Sequence, residues 1–224
     1  APGVGITPTS ILCAVYAEVL AHWSGSTASS KHGASLLMNV MHTLRHECHK
    51  DVRRLLGNFS STILLECKLA RGGAGTFAEH VTELTGQLFE DLAHGSVSGV
   101  DVMQMMNSSA ASAGSGPSGS SSSEGGSSNA FRAVAPFAFT STIGLADILP
   151  GNIGSAASGA AAIFEDDETS VTCKQVYSLV QTPQTWLDHQ VEEDEATGDL
   201  IFNFDFLEGL FPDSVMAGML STYK

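Results

Sequence analysis

Residues Gln181-Thr-Pro-Gln-Thr-Trp-Leu-Asp-His-Gln190 decide how this chain is read. Taken as a strand, they place Gln184, Trp186, Asp188 and Gln190 on one face. Thr185, Leu187, His189 and Val191 fall on the other, because side chains alternate along extended backbone. An aspartate beside an indole and between amides needs hydrogen-bonding partners if it is buried. Burial of that kind is also a usual way to tune a carboxyl as an acid or base. Periodicity by itself leaves an ordinary half-exposed strand open as the alternative.

Outward from this stretch, composition narrows the classes available. At 224 residues, with 43% apolar content, the chain is long enough for one sizeable core and reads as a folded domain. Ten Lys and Arg against 24 Asp and Glu give a formal charge of −14. A nucleic-acid binder needs a basic footprint, so this balance excludes nucleic acid as the expected partner. No apolar run approaches the roughly 20 residues of a membrane helix. Cys13, Cys48, Cys67 and Cys173 are widely spaced and no signal peptide opens the chain. Reduced thiols and a cytoplasmic setting are therefore expected, with the sequons at Asn58 and Asn107 as chance matches.

Helix signals open the chain: Thr7 as N-cap, Pro8 at the first position, then Leu12, Tyr16, Val19, Leu20 and Trp23 at helical spacing, with Gly25 as the stop. Strands are expected over 35–42 and 59–69, the second ending at Arg71–Gly75, which lacks the Lys-Ser/Thr of a phosphate loop and reads as a hairpin turn. A helix is expected over 76–93, with Phe77, Val81, Leu84, Leu88 and Leu92 as its stripe. Strands near 135–143, 171–180, 183–191 and 199–206 precede a last helix after Pro212. This mixture, without strict βαβ repetition, predicts an α/β two-layer sandwich. Residues 107–130 are dominated by Ser, Gly and Ala, with Glu124 the one charge, and read as a disordered insertion within a single domain. Gly151 to Ala162, followed by Glu165-Asp-Asp-Glu168, reads as a second mobile loop.

The motifs occur in an order that resembles a known family. Gln181-Thr-Pro-Gln184 with Trp186-Leu-Asp-His-Gln190 is similar to a late core motif of the heterocyclization domains of nonribosomal peptide synthetases. Gly5-Ile-Thr-Pro-Thr-Ser10 and Ala17-Glu-Val-Leu-Ala-His-Trp23 resemble the helix that opens their C-terminal lobe. Leu55-Leu-Gly-Asn-Phe-Ser-Ser61 with Leu64-Leu-Glu66 resembles their Gly-Asp-Phe-Thr-Ser strand. Asp91-Leu-Ala-His94 with Ser98-Gly-Val-Asp-Val102, Phe139-Thr-Ser141 with Gly144-Leu145, and Leu200-Ile-Phe-Asn-Phe-Asp205 with Leu210-Phe-Pro212 match the remaining motifs in order.

Departures are specific. The family's Phe-Asn-Arg signature falls on Thr43-Leu44-Arg45, so its Asn is replaced. Asn58 stands where the family has Asp, and Thr185 where it has Val. No Asp-x4-Asp N-terminal lobe is found, so residues 1–224 read as a single C-terminal lobe of a condensation-type domain.

The resemblance implies one lobe of the chloramphenicol-acetyltransferase-like fold, which in full is a V of two lobes. It implies an acid–base pair at Asp188 and Thr140, with Gln181, Gln184, Trp186 and Ser141 facing substrate. Arg45, Arg53 and Arg54 form, with Lys50, the strongest basic cluster. That cluster is either a solvated face or a landing site for an acidic carrier protein or its pantetheine phosphate. Implied partners are peptidyl carrier proteins, flanking synthetase domains and the N-terminal lobe; no cofactor is expected on the chain itself beyond phosphopantetheine brought by the carriers. No metal is expected: His42, His46, Cys48 and His49 lack a second ligand cluster, and His46-Glu47-Cys48-His49 is not the zinc-protease spacing. No G-x-S-x-G elbow is present.

The function so implied is amide formation with carrier-bound Cys, Ser or Thr, then cyclodehydration to thiazoline or oxazoline. The chain is expected to be inactive alone, as a fragment, half of a split enzyme or a relic. Two alternatives stay open: a non-catalytic lobe that binds carriers or partners, and an ordinary amide-forming condensation or acyltransferase lobe.

Overall fold

A computed structural model of the chain describes residues 5–24, 35–43, 48–52, 55, 57–68, 75–113, 134–144, 162–164, 171–173, 184–194 and 197–224. Its elements run α1 (Pro8–Trp23), β1 (Ser35–Thr43), β2 (Ser60–Lys68), α2 (Phe77–Ala93), α3 (Gly99–Ala113), β3 (Phe137–Ser141), β4 (Ala162–Phe164), β5 (Val171–Cys173), β6 (Leu187–Glu193), β7 (Leu200–Phe206) and α4 (Asp213–Tyr223). Five strands form one mixed sheet in the order β2-β1-β3-β6-β7, and β4 pairs with β5 in a separate ribbon. The two inner pairings, β1 with β3 and β3 with β6, are parallel; the outer two are antiparallel.

Local chemistry starts the helices where the sequence places them. Thr7 caps α1 through a reciprocal box with Ser10, and Pro8 supplies a first-turn residue whose missing N–H costs nothing there. Thr76 and Glu79 make the same box on α2. Along α2 the stripe is buried at Val81, Leu84 and Leu88, while Phe77 at its N-terminus stays exposed. On α4 the buried residues are Met216, Met219 and Tyr223.

One face of the sheet makes the core. Met38 and Val40 of β1, Ile63, Leu65 and Cys67 of β2, Phe139 of β3 and Leu187 and Val191 of β6 pack in one cluster with α1, α2 and α4. Tyr16, at the centre of α1, lies 4.9 Å from the His189 ring and 6.2 Å from Phe139, centroid to centroid. Tyr223 and Phe204 close on His189 at 4.4 and 4.8 Å. The Tyr223 hydroxyl donates to the Leu12 carbonyl at 3.3 Å, and Trp23 Nε1 to Thr222 Oγ1 at 3.3 Å, fastening α4 to α1.

The opposite face carries the alternate residues. Helix α3 begins against it: a Cβ on Gly99 would sit 2.9 Å from Thr62 Oγ1 and 3.3 Å from Asn39 Oδ1. Asn39 and Thr62 alternate with core-facing Val40 and Ile63, so α3 approaches the side of the β1–β2 edge away from α1. Only glycine lets the backbone come this close.

An α/β sandwich is what the structure contains, and most elements fall where they are expected. Four details differ. Helix α3 runs to Ala113, seven residues into the stretch 107–130 that composition reads as disordered. Alanines at 110, 111 and 113 carry little side-chain entropy, and the turn-favouring serines are tolerated because Ser108 and Ser109 return hydrogen bonds to the Gln104 and Met105 carbonyls. Residues 114–130 lie outside the described residues. Gly75, with φ +102°, precedes the Thr76 cap, so the segment after β2 leads into α2 and is not the turn of a β-hairpin. The strand expected over 183–191 starts at Leu187, and the described part of the strand expected over 171–180 is Val171–Cys173. Ala162, expected to end a loop, opens β4, while 151–161, 165–170 and Gly25 lie outside the described residues.

Two substitutions separate close approach from helix propensity. Gly99→Ala is expected to destabilise the fold by about 1–3 kcal/mol, because Thr62 and the backbone of β2 must move. Gly86→Ala, mid-helix with nothing within 4 Å, is expected to stabilise by about 0.5–1 kcal/mol. Urea unfolding midpoints at constant m-value measure both.

His189 makes a second prediction. It is fully buried, its Nδ1 meets the Asn203 carbonyl at 3.2 Å, and burial lowers its pKa to about 4. The folded value lies below the ordinary 6.5, so the unfolded chain takes up the proton first. Stability from this residue is therefore complete above pH 6.5 and is lost as pH falls from there to about 4. Against a His189→Leu chain, wild type should lose on the order of 3 kcal/mol more between pH 7 and pH 4, read by denaturant melts across that range.

Candidate functional site

Asp188 is the second residue of β6 and points away from the aromatic core. Its neighbours follow from register. In the parallel β3–β6 pair, Ala138 stands beside Asp188 and Thr140 beside Gln190. In the antiparallel β6–β7 pair, Asp205 stands opposite Asp188 and Asn203 opposite Gln190. Period-2 alternation then puts Thr140, Asp188, Gln190 and Asp205 on one face of three adjacent strands. The small Ala138 side chain beside Asp188 leaves its carboxylate room to reach diagonally to Thr140.

The resulting contacts form a short polar chain. Thr140 Oγ1 donates to Asp188 Oδ1 at 3.4 Å, and Gln190 Nε2 donates to Asp188 Oδ2 at 3.0 Å. The same Gln190 nitrogen donates to Asp205 Oδ2 at 3.2 Å. Asp188 is 7% exposed, and its pKa is raised above the ordinary carboxylate range. Desolvation by burial is the largest cause, and the nearby Asp205 charge adds to it. The hydrogen bonds from Gln190 and Thr140 act in the opposite direction and do not outweigh them. The arrangement is a carboxyl that holds its proton more firmly than a free aspartate, with a hydroxyl alongside.

Other residues singled out in the sequence fall elsewhere. Ser141 belongs to the alternate face: its Oγ lies 3.0 Å from Thr9 Oγ1 and accepts from the Ile143 N–H at 3.4 Å, so it ties β3 to the start of α1. Trp186 lies just before β6, 38% exposed, with its backbone N–H donating to the Pro136 carbonyl at 2.7 Å. Gln184 is exposed in a turn at φ +67°, a left-handed conformation that costs a non-glycine residue about 1 kcal/mol or more. Gln181, Arg45, Arg53 and Arg54 lie outside the described residues, and of that basic cluster only Lys50 is described, on the exposed surface.

Asp205 is the member that sequence reasoning leaves without a role. A signal for it exists: strands ending at Glu193 and starting at Leu200, joined as a hairpin, bring Asp188 opposite Asp205. Among the described residues no group of three or more His, Cys, Asp or Glu is placed to hold a metal ion. No described helix is long and apolar enough to cross a membrane.

No family model matches the chain. Its similarity to individual proteins is nonetheless consistent. It is 28% identical over 217 residues to phenyloxazoline synthase MbtB of Mycolicibacterium paratuberculosis, covering 97% of this chain and 15% of that protein. It is 27% identical over 220 residues to pyochelin synthetase PchE of Pseudomonas aeruginosa, covering 98% of this chain and 12% of PchE. Among solved structures, the EpoB cyclization-docking bidomain from Sorangium cellulosum superposes with a TM-score of 0.63 at 24% identity, over 98% of this chain and 35% of that one. The chain thus spans a small part of each relative.

A carboxylate buried at the cost of its hydration makes a third prediction. The folded pKa of Asp188 lies above its unfolded value, so stability from this group is full at low pH and declines as pH rises from the unfolded value through the folded one. Asp188→Asn, isosteric and uncharged, is therefore expected to raise the melting temperature at pH 7 and to leave it nearly unchanged at low pH. Calorimetry at the two pH values measures the difference.

With these relatives, this fold and the motif order taken together, the chain carries the sequence pattern and the fold of the condensation/heterocyclization domains of nonribosomal peptide synthetases.

Proposed function

We propose that this chain forms one wall of a heterocyclization active site, in which Asp188 supplies the proton for cyclodehydration and Thr140 orients the intermediate. The observation that carries the reading is the half-buried Thr140 hydroxyl bonded to a buried Asp188 of raised pKa. An upstream acyl thioester on one carrier protein first acylates the amine of a Cys, Ser or Thr held on another carrier's phosphopantetheine. The side-chain thiol or hydroxyl then adds to the new amide carbonyl. The resulting hemiaminal must lose its hydroxyl as water, forming the C=N bond of a thiazoline or oxazoline.

Hydroxide is a poor leaving group, so a proton must reach that oxygen as its bond to carbon breaks. A carboxylic acid of raised pKa is suited to give it, and the amide nitrogen's proton leaves as the ring C=N forms. General acid help of this kind is worth about 10²–10⁴-fold in rate. Carrier proteins, flanking synthetase domains, a second lobe facing Asp188 and a cytoplasmic setting belong to the same reading. Residues Gln181, Gln184 and Trp186, which precede β6 in the sequence, would contact the tethered substrate. Arg45, Arg53 and Arg54 would meet the carrier or its phosphate.

In the complete two-lobed domain, Asp188→Asn is expected to slow ring closure by about 10²-fold or more and amide formation little. Asn keeps the shape of Asp188 and cannot release the proton, whereas the amide step starts from an activated thioester. Thr140→Val should give a milder form of the same defect. Mass spectrometry separates the products by the one water lost, so uncyclised peptidyl carrier should accumulate. If both steps slow equally, Asp188 is structural. If neither changes, the non-catalytic lobe becomes the better reading.

A further inference from the structure

The polar chain does not end at Asp188. Gln190 Nε2 has two hydrogens and donates one to each of two carboxylates, Asp188 at 3.0 Å and Asp205 at 3.2 Å. These aspartates are direct cross-strand partners in the β6–β7 pair. Like charges directly opposite on antiparallel strands repel, and such a pair is normally destabilising. Here one end of the pair is buried and the other exposed, with a neutral amide between them in place of a cation. The geometry therefore makes it costly for both carboxylates to be ionised, and the buried one is the one that keeps the proton.

We propose that Asp205 is a positioning residue for this site: tied to Asp188 through the shared Gln190 amide, its carboxylate fixes the Asp188 side chain and opposes the loss of its proton. The proposal rests on the heterocyclization reading for its chemical consequence, but the coupling itself is a property of the chain. Among the described residues the groups near Asp188 are few; on its own face of β6, Glu192 lies four residues further along and is raised by its own burial. Strand β3 offers the Thr140 hydroxyl and no titratable side chain. Strand β7 offers Asp205. From α1, beneath the sheet, Tyr16 has its hydroxyl raised by burial first and by the Asp188 charge second, so it stays neutral. On β6 itself His189 points into the core and is neutral above about pH 4. Of these, Asp205 is the one carboxylate joined to Asp188 by a shared hydrogen-bond donor. Its influence on Asp188 is in the direction the proposal requires.

Asp205 is exposed, so Asp205→Asn leaves the core untouched. Carbon-detected NMR titration of the Asp188 carboxyl in the full chain reads the coupling directly. Product analysis in the synthetase that holds this chain reads its consequence. In Asp205→Asn the Asp188 midpoint should move to lower pH, and ring closure above that midpoint should fall about threefold or more, with amide formation unchanged. Asp205→Glu, which keeps the charge, should retain the wild-type pH profile. An Asp188 midpoint that stays in place in Asp205→Asn overturns the inference, whatever the rates do. A midpoint that moves in a protein that closes no ring even in wild-type form upholds the coupling and overturns the heterocyclization reading instead.

Discussion

The parallel pairing of β3 with β6 is the constraint on which the rest of this structure depends. It places Phe139 beside His189 on one face and Thr140 beside Gln190 on the other. Because side chains alternate with a period of two, a slip of one residue would exchange the faces, driving Asp188 and Thr140 under α1 and exposing Phe139. Leu187 and Val191, together with Phe139 and Tyr16, therefore fix the register by what their burial gains, at roughly 1.5–3 kcal/mol for each large apolar side chain. The polar face is positioned by the apolar one.

This division explains why a costly residue is tolerated. Desolvating an aspartate opposes folding, and two donors compensate it incompletely. The opposite face supplies the surplus: a cluster of Tyr16, Phe139, His189, Phe204 and Tyr223 with ring centroids between 4.4 and 6.2 Å. Stability held in one layer thus offsets a desolvated carboxyl in the other. His189 shows that even the core face is sensitive to protons, since one nitrogen is bonded to the Asn203 carbonyl and the ring has no room for hydration.

How much of this was legible depends on the range over which each signal acts. Caps and periodicity are local, so Thr7, Thr76 and the stripe of α2 could be read directly from the residues. The in–out alternation of Leu187, Asp188, His189 and Gln190 was legible for the same reason. Helix α3 was not, because Ser98-Gly-Val-Asp-Val102 carries a weak apolar pattern and a Ser-rich tail. Its anchor is the missing Cβ of Gly99 against Thr62, a contact across the sheet that no window of sequence contains. The position of Ser141 is non-local in the same way: a hydroxyl next to Thr140 in sequence is on the other side of the sheet in space, bonded to Thr9.

Asp205 marks the boundary between the two kinds of signal. Its pairing with Asp188 requires the lengths of two strands and the connection between them, and the connection is itself set by short-range contacts. The Gly198 N–H reaches the Asp194 carbonyl at 2.6 Å with Gly198 at φ +74°, and the Thr197 N–H reaches Asp194 Oδ1 at 3.2 Å. Asp194 and Gly198, neither of which approaches the site, thereby determine which residue of β7 stands opposite Asp188. A one-residue change in that loop would put Phe204 or Phe206 there instead, and leave Gln190 bridging nothing. The electrostatics of the candidate site are set by a turn at the far end of its hairpin.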